Sequence, residues 1–339
     1  MKTDKLADTA QAMVAKGKGI LAIDESSGTI QKRFESIKVE CTETTRRDYR
    51  DLLITAPGIG RYITGFILFD ETLRQSTNKG VPFAKVLEQA GVMPGIKVDK
   101  GAKALAGHRG EMVTEGLDGL RERLAEYRKL GARFCKWRSV ITIGSGIPSR
   151  SCIMANAHGL ARYAALCQEA GLVPMVEPEV LLDGNHSIER CYEASEATLR
   201  ALFSELYEQR VALEGTILKA SMVISGNKAA KRAGVQEVAD RTVACLKATV
   251  PAALAGVVFL SGGQSDLEAT QHLNAMNASG HELPWPLSFS YSRALQAPAL
   301  KAWAGKEANV KSAQAALLHR AKMNGAATRG KYTAEMEKS

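Results

Sequence analysis

The sequence contains no apolar run of the ~20 residues that a membrane-spanning helix requires. Its longest runs, such as Val250 to Leu260, are interrupted, here by Pro251 and Gly256. Nor does it open on a secretory leader, because Met1 to Lys18 is polar and charged throughout; a cytoplasmic protein that keeps off the membrane is expected. No two cysteines form a C-x-x-C pair. Cys41, Cys135, Cys152, Cys167, Cys191 and Cys245 are scattered, mostly in apolar surroundings, and read as buried thiols of a reducing compartment. His108, His158, His186, His272, His281 and His319 never recur at the spacing that would put two ligands on one helix face, so no metal site is expected. Zinc-finger spacings and basic motifs interleaved with aromatics are missing too. The net charge of +9 favours anionic partners; nucleic acid is one candidate, but without those motifs small phosphorylated molecules fit better. Internal repeats, low-complexity tracts and linkers rich in Pro, Gly or Ser are also absent, and nothing divides the chain.

What is present is an ordinary globular composition, 45% apolar and 24% charged, in 339 residues. That length accommodates one (β/α) barrel of roughly 250 residues with decorations. Strand-like and helix-like segments alternate, the pattern of a parallel α/β fold. Strands are expected at Gly19 to Asp24, Tyr62 to Asp70, Gly95 to Asp99, Arg133 to Arg138, Val173 to Val180, Thr216 to Val223, Gly256 to Gly263 and Leu287 to Tyr291. Between them Leu117, Leu120, Leu124, Tyr127 and Leu130 share one helix face, which Gly131 closes. A second helix over Asn156 to Ala170 stops at Gly171, and one or two more follow over Lys301 to Asn324. The reading is a single-domain (β/α)8 TIM barrel. An N-terminal helix over about residues 1–18 precedes it, and C-terminal helices with a short tail over about 298–339 follow. The last stretch, Ala326 to Ser339, is expected to be loose.

Barrels of this kind carry their sites at the C-terminal ends of the strands. There the first expected strand presents Asp24, the third Lys97, the fourth Lys136 and Arg138, the fifth Glu177 and Glu179, and the sixth Lys219. Residues two apart on a strand share a face, so each pair aims one way, and charges are rarely buried unless paired or used. Asp70 and Glu71, at the second strand, read as structural. The seventh and eighth strands end in Leu260-Ser261-Gly262-Gly263-Gln264-Ser265 and Ser290-Tyr291-Ser292-Arg293. Those loops are the usual phosphate site of the fold; adjacent glycines let backbone N–H groups close on an anion, and Arg293 can clamp it. Lys97 and Arg138 offer a second cationic locus, so a bisphosphate is expected. A lysine beside a second lysine and a glutamate suggests Schiff-base chemistry, the like charge favouring the uncharged amine and the carboxylate carrying protons. Spacing alone leaves open a plain turn at Gly262-Gly263, a salt-bridged Lys219 and surface ion pairs on edge strands.

Leu21-Ala22-Ile23-Asp24-Glu25-Ser26, Gly95 to Gly101, Lys136-Trp137-Arg138, Val176-Glu177-Pro178-Glu179, Leu260 to Ser265 and Phe289 to Arg293 closely resemble class I fructose-bisphosphate aldolase, in that family's order. The resemblance implies that Lys219 forms an imine with the keto carbon of fructose 1,6-bisphosphate, with Glu177 as acid and base and Lys136 supporting it. Asp24 would assist loss of the 4-hydroxyl proton, with Glu179 tuning the charges beside it. Ser261, Gly262 and Arg293 would hold the 1-phosphate; Lys97 and Arg138, helped by Ser26 and Arg33, the 6-phosphate. Ser290 belongs with the substrate-binding group. The products implied are dihydroxyacetone phosphate and glyceraldehyde 3-phosphate. No metal or other cofactor is implied, since the protonated imine is the electron sink, and the family's usual state implies a homotetramer. Two departures stand out. The family's Lys-Pro-Asn is here Lys219-Ala220-Ser221, which alters local rigidity without removing the amine. The terminal tyrosine of animal and plant members, which assists proton exchange at the enamine, has no counterpart in Glu335-Met336-Glu337-Lys338-Ser339, and Tyr332 is not that residue. A relative preferring sedoheptulose 1,7-bisphosphate or fructose 1-phosphate is the nearest other reading. A phospho-ligand scaffold, expected to have lost Lys219, Glu177 or Asp24, is a further one.

Overall fold

The computed structural model describes residues 2–280 and 282–338, with side chains from residue 5 onward; His281 and Ser339 lie outside the described residues. Its strands are β1 (Gly19–Ile23), β2 (Ile63–Leu68), β3 (Met93–Lys97), β4 (Ala102–Ala104), β5 (Met112–Thr114), β6 (Phe134–Ile141), β7 (Val173–Val180), β8 (Ile217–Ala220), β9 (Gly256–Phe259) and β10 (Leu287–Tyr291). Its helices are α1 (Lys2–Met13), α2 (Ser27–Ser36), α3 (Glu43–Ile54), α4 (Asp70–Arg74), α5 (Phe83–Gln89), α6 (Leu120–Lys129), α7 (Arg150–Glu169), α8 (Ile188–Glu208), α9 (Val235–Thr249), α10 (Asp266–Ala278), α11 (Arg293–Trp303) and α12 (Val310–Ala327). Eight strands close a barrel in the order β1-β10-β9-β8-β7-β6-β3-β2, and β4 and β5 form a separate antiparallel hairpin. Every barrel pairing is parallel. The architecture is the (β/α)8 barrel expected from the alternation of elements.

Two apolar layers follow from the period-two geometry of strands. Leu21, Ile23, Phe66, Ile96, Cys135, Trp137, Val176, Leu218 and Phe259 face outward into the helical shell. Their neighbours Ile20, Ala22, Phe134, Val173, Met175, Ile217 and Val258 face inward. α1 caps the bottom of this interior with Leu6, Ala10, Met13 and, just beyond it, Val14. Two glycines allow the packing: a Cβ on Gly95 would lie 2.2 Å from the Phe134 ring, and one on Gly256 would lie 2.7 Å from Val14. Read upward along β6, β7 and β8, the inward series passes from apolar to charged: Phe134, Lys136, Arg138 on β6; Met175, Glu177, Glu179 on β7; Ile217, Lys219 on β8. Burial of the lower members holds the upper ones at the mouth.

Several boundaries move from their expected places. The strands predicted over 216–223 and 256–263 stop at Ala220 and Phe259. In the second case Gly262 and Gly263 take φ of +53° and +95°, which no strand accommodates. The strand predicted over 62–70 ends at Leu68, because Asp70 and Glu71 open α4. Both are structural as expected. Asp70 pairs with Arg74 and accepts from Tyr127, and Glu71 accepts from Arg46 and Arg50. Five of the cysteines are buried and Cys41 is half-buried, none of them in a disulfide.

The expectation of a loose stretch from Ala326 is wrong. Ala326 and Ala327 finish α12, and Tyr332 is buried. Glu337 accepts from both the buried Arg320 (2.6 Å) and the Tyr332 hydroxyl (2.9 Å) and lies 3.1 Å from His319 Nε2. The tail is thus held by one carboxylate that offsets a buried guanidinium. Glu337→Gln should lower stability by about 1–3 kcal/mol, the cost of a buried charged group left partly unpaired, with turnover per folded molecule nearly unchanged. Thermal melts and active-site titration would check this; a large loss of turnover at unchanged Tm would mean that the tail takes part in the reaction.

Candidate active site

The residues singled out for the site in the sequence, from Asp24 on β1's end to Arg293 at the start of α11, line one cavity of about 620 Å³ at the barrel's C-terminal mouth, with the exception of Gly263, which follows Gly262 in the sequence and does not line it. At its floor Lys136 Nζ lies 2.6 Å from Asp24 and 3.1 Å from Glu177 Oε2, and Lys219 Nζ lies 3.1 Å from Glu177 Oε1. One carboxylate therefore sits between two amines. None of these side chains is more than 10% exposed, so their charges act through protein rather than water.

Burial alone would push Asp24 up, but Lys136 and then Lys219 outweigh it and bring the carboxyl down to about 2. Burial likewise opposes ionisation of Glu177, and Lys136, Lys219 and Arg138 reverse the sign and hold it below the ordinary carboxylate range. Lys136 is the mirror case. Burial disfavours its charge, while Asp24, Glu177 and Asp99 raise its pKa. The resting floor thus holds two carboxylates and a firmly protonated Lys136, arranged around Lys219.

Register sets this geometry. Lys97 on β3 pairs with Lys136 on β6, and Arg138 pairs with Glu177 on β7. Higher in the cavity Arg138 Nε donates to Glu179, and Lys97 lies 3.0 Å from Asp99. Arg33 on α2 donates to Glu25 and, at 3.0 Å, to Ser292. Lys32, Arg33, Lys97, Lys136, Arg138, Lys219 and Arg293 face Asp24, Glu25, Asp99, Glu177 and Glu179 in this cavity, seven cations against five carboxylates. The surplus of two positive charges suits an anionic ligand.

On the opposite wall the left-handed Gly262 and Gly263 turn their loop around the cavity. A Cβ on Gly263 would lie 3.6 Å from Arg293 Nη2, so the loops after β9 and β10 meet there. Ser265 caps α10 behind the loop in a capping box with Glu268. The Ser290 hydroxyl is buried and has no hydrogen-bond partner among the described residues, although it lines the cavity. Ser26 is the N-cap residue of α2 at the cavity's edge.

Sequence reasoning missed the groups that hold these side chains in place. Glu25 Oε1 receives Arg33, Ser292 and Gln296, fixing the start of α11 to the end of β1. Asp99 accepts from the backbone N–H groups of Gly101 and Arg138; its position two after Lys97 was the available signal. His272, brought down to about 4 by burial, is neutral and donates Nδ1–H to Gln264 Oε1 at 2.6 Å, pinning the glycine loop. No sequence pattern announced that pair. Among the described residues no group of three or more His, Cys, Asp or Glu side chains could hold a metal ion, and no helix is long and apolar enough to cross a membrane.

Comparison with known proteins shows which family shares this sequence and fold. Residues 5–339 match the family model described as fructose-bisphosphate aldolase class-I. A protein of Xanthomonas campestris named probable fructose-bisphosphate aldolase class 1 is 64% identical over 98% of this chain and 99% of its own length. The cytoplasmic isozyme of fructose-bisphosphate aldolase from Cicer arietinum is 56% identical over 97% of this chain and 92% of its own. A crystal structure of fructose-bisphosphate aldolase from Plasmodium falciparum, in complex with TRAP and a small-molecule inhibitor, superposes with a TM-score of 0.97 at 50% identity, over 98% of this chain and 96% of that one. The barrel, the paired amines and these full-length likenesses agree, and the chain belongs to the class-I fructose-bisphosphate aldolase family.

Proposed function

We propose that Lys219 is the amine that condenses with the ketose, and that Glu177, Lys136 and Asp24 move the protons around it. Membership of class I makes the reaction the reversible, metal-independent cleavage of fructose 1,6-bisphosphate to dihydroxyacetone phosphate and glyceraldehyde 3-phosphate through an imine. The observation that supports this assignment of roles is the single carboxylate of Glu177 placed 3.1 Å from each of two buried amines.

Glu177, ionised at rest, can take a proton from Lys219 and free its lone pair for attack on the C2 carbonyl. It then returns the proton to the carbinolamine hydroxyl, which leaves as water and produces the protonated imine. Lys136 remains an ammonium and supplies a hydrogen bond to the oxygen on which charge gathers. Asp24 takes the 4-hydroxyl proton as the C3–C4 bond breaks, and the electrons of that bond flow into the imine. Glu179 keeps Arg138 oriented beside it. Protonation of the resulting enamine at C3 and hydrolysis complete the cycle. Tyr332 donates to Glu337 and does not line the cavity, so it is not placed to give that proton.

The phosphates would sit at the two ends of the cavity, the 1-phosphate on the N–H groups at Ser261 and Gly262 with Arg293 and Ser290, the 6-phosphate between Lys97, Arg138, Arg33 and Ser26. The products would serve glycolysis and gluconeogenesis in the cytoplasm, from a homotetramer that contacts neither membrane nor nucleic acid. A panel of fructose 1,6-bisphosphate, sedoheptulose 1,7-bisphosphate and fructose 1-phosphate tests the substrate reading, with the first expected to show the highest kcat/KM. Arg293→Ala should raise KM for all three about 100-fold, because each places a phosphate at C1. Unchanged binding of dihydroxyacetone phosphate by that variant would put the phosphate elsewhere, and preference for the unphosphorylated aldehyde end would remove Lys97 and Arg138 from substrate contact.

A further inference from the structure

β7 and β8 carry the two reacting groups, yet their ladder, like that of β1 with β10, is only two residue pairs long. It registers Met175 with Ile217 and Val176 with Leu218 and goes no further. β6, by contrast, pairs with β7 through to Ile141 and Val180, and β9 pairs with β8 through to Ala220 and Phe259. The seam between Glu177 and Lys219 is therefore open at the height where the chemistry is placed.

One hydroxyl spans that seam. Ser221 Oγ accepts from the Val180 backbone N–H at 3.0 Å and donates to the Val180 carbonyl at 3.0 Å. A serine hydroxyl has one proton and two lone pairs, so a single side chain can satisfy both groups of one residue. Val180 is buried, and its other neighbour is already served, since Leu181 N–H bonds Ile141 O. Without Ser221 both polar groups of Val180 that face β8 would be buried without a partner.

We propose that Ser221 is a positioning residue that fixes the end of β7, and with it Glu177 and Glu179, against Lys219. It lies two residues beyond Lys219 and ties to the residue next to Glu179. The hydroxyl continues by a side chain the ladder that the two backbones abandon. Ala220, between them, places no restriction of its own on the backbone beyond that of any residue, so the hydrogen bonds supply the rigidity at this turn. The inference rests on the proposed roles of Lys219 and Glu177.

The test compares Ser221→Ala with Ser221→Thr, which keeps the hydroxyl. Rate constants for imine formation are measured per folded molecule by borohydride trapping with dihydroxyacetone phosphate, and affinity is measured with inorganic phosphate, which cannot form an imine. Ser221→Ala should slow trapping and lower kcat about tenfold, as a displacement of the proton carrier from the amine would, with phosphate affinity unchanged and the adduct still on Lys219. Ser221→Thr should trap at close to the parent rate. If Ser221→Ala does not fold, Ser221→Cys, a weak donor and acceptor, takes its place. Trapping at the parent rate in the Ala or Cys variant, or equal slowing in the Thr variant, overturns the proposal. Failure of the parent protein to trap at Lys219 would instead overturn the reading on which it rests.

Discussion

Lys219→Arg should abolish cleavage, by at least about a thousand-fold, while the protein stays folded. The side chain is buried against Glu177, so an apolar replacement would leave that carboxylate short of one of its two cations and confuse loss of chemistry with loss of structure. Arginine keeps the charge. It cannot give up a proton at neutral pH and so cannot attack a carbonyl. In the parent protein, borohydride added with dihydroxyacetone phosphate should reduce the imine to a secondary amine and leave the added mass on the peptide containing Lys219. The variant should show none. Mass on Lys136 would move the nucleophile to β6, and the firmly protonated state of that lysine argues against it. No adduct under any condition would remove the imine from the reaction.

The parts of the molecule that were legible in the sequence are those that repeat with the period of a strand. Lys136 and Arg138, Glu177 and Glu179, each two apart, end strands whose lower inward members are apolar, and alternation of strand with helix gave the barrel that gathers them. What stayed hidden depends on groups that meet only after folding. His272 and Gln264 are eight residues apart, Glu25 and Gln296 are separated by most of the chain, and Ser221 meets the backbone of Val180 rather than another side chain. The β4–β5 hairpin has strands of three residues each, too short for a readable alternation. The tail was misread for a related reason. Its residues are small and polar, and nothing local shows that Glu337 is the partner of an arginine buried in α12.

Glu177→Gln should trap slowly, about 100-fold below the parent, rather than not at all. The substitution keeps the shape of the side chain and leaves the amine of Lys219 in place, so attack on the carbonyl remains open. It removes the base that frees that amine and the acid that expels the carbinolamine hydroxyl. It also takes away the charge that lies 3.1 Å from both Nζ atoms, so the two ammonium groups face each other across an amide. Stability should fall as well, and the pH dependence of that fall is fixed by sign. A carboxyl held below its ordinary range contributes stability above its unfolded pKa and loses it as pH drops through the folded one. The parent should therefore lose stability on acidification more steeply than the variant, and the two should converge at low pH. Equal trapping rates at neutral pH would show that the protons travel by another route, with Lys136 and Asp24, 2.6 Å apart, as the pair next in reach.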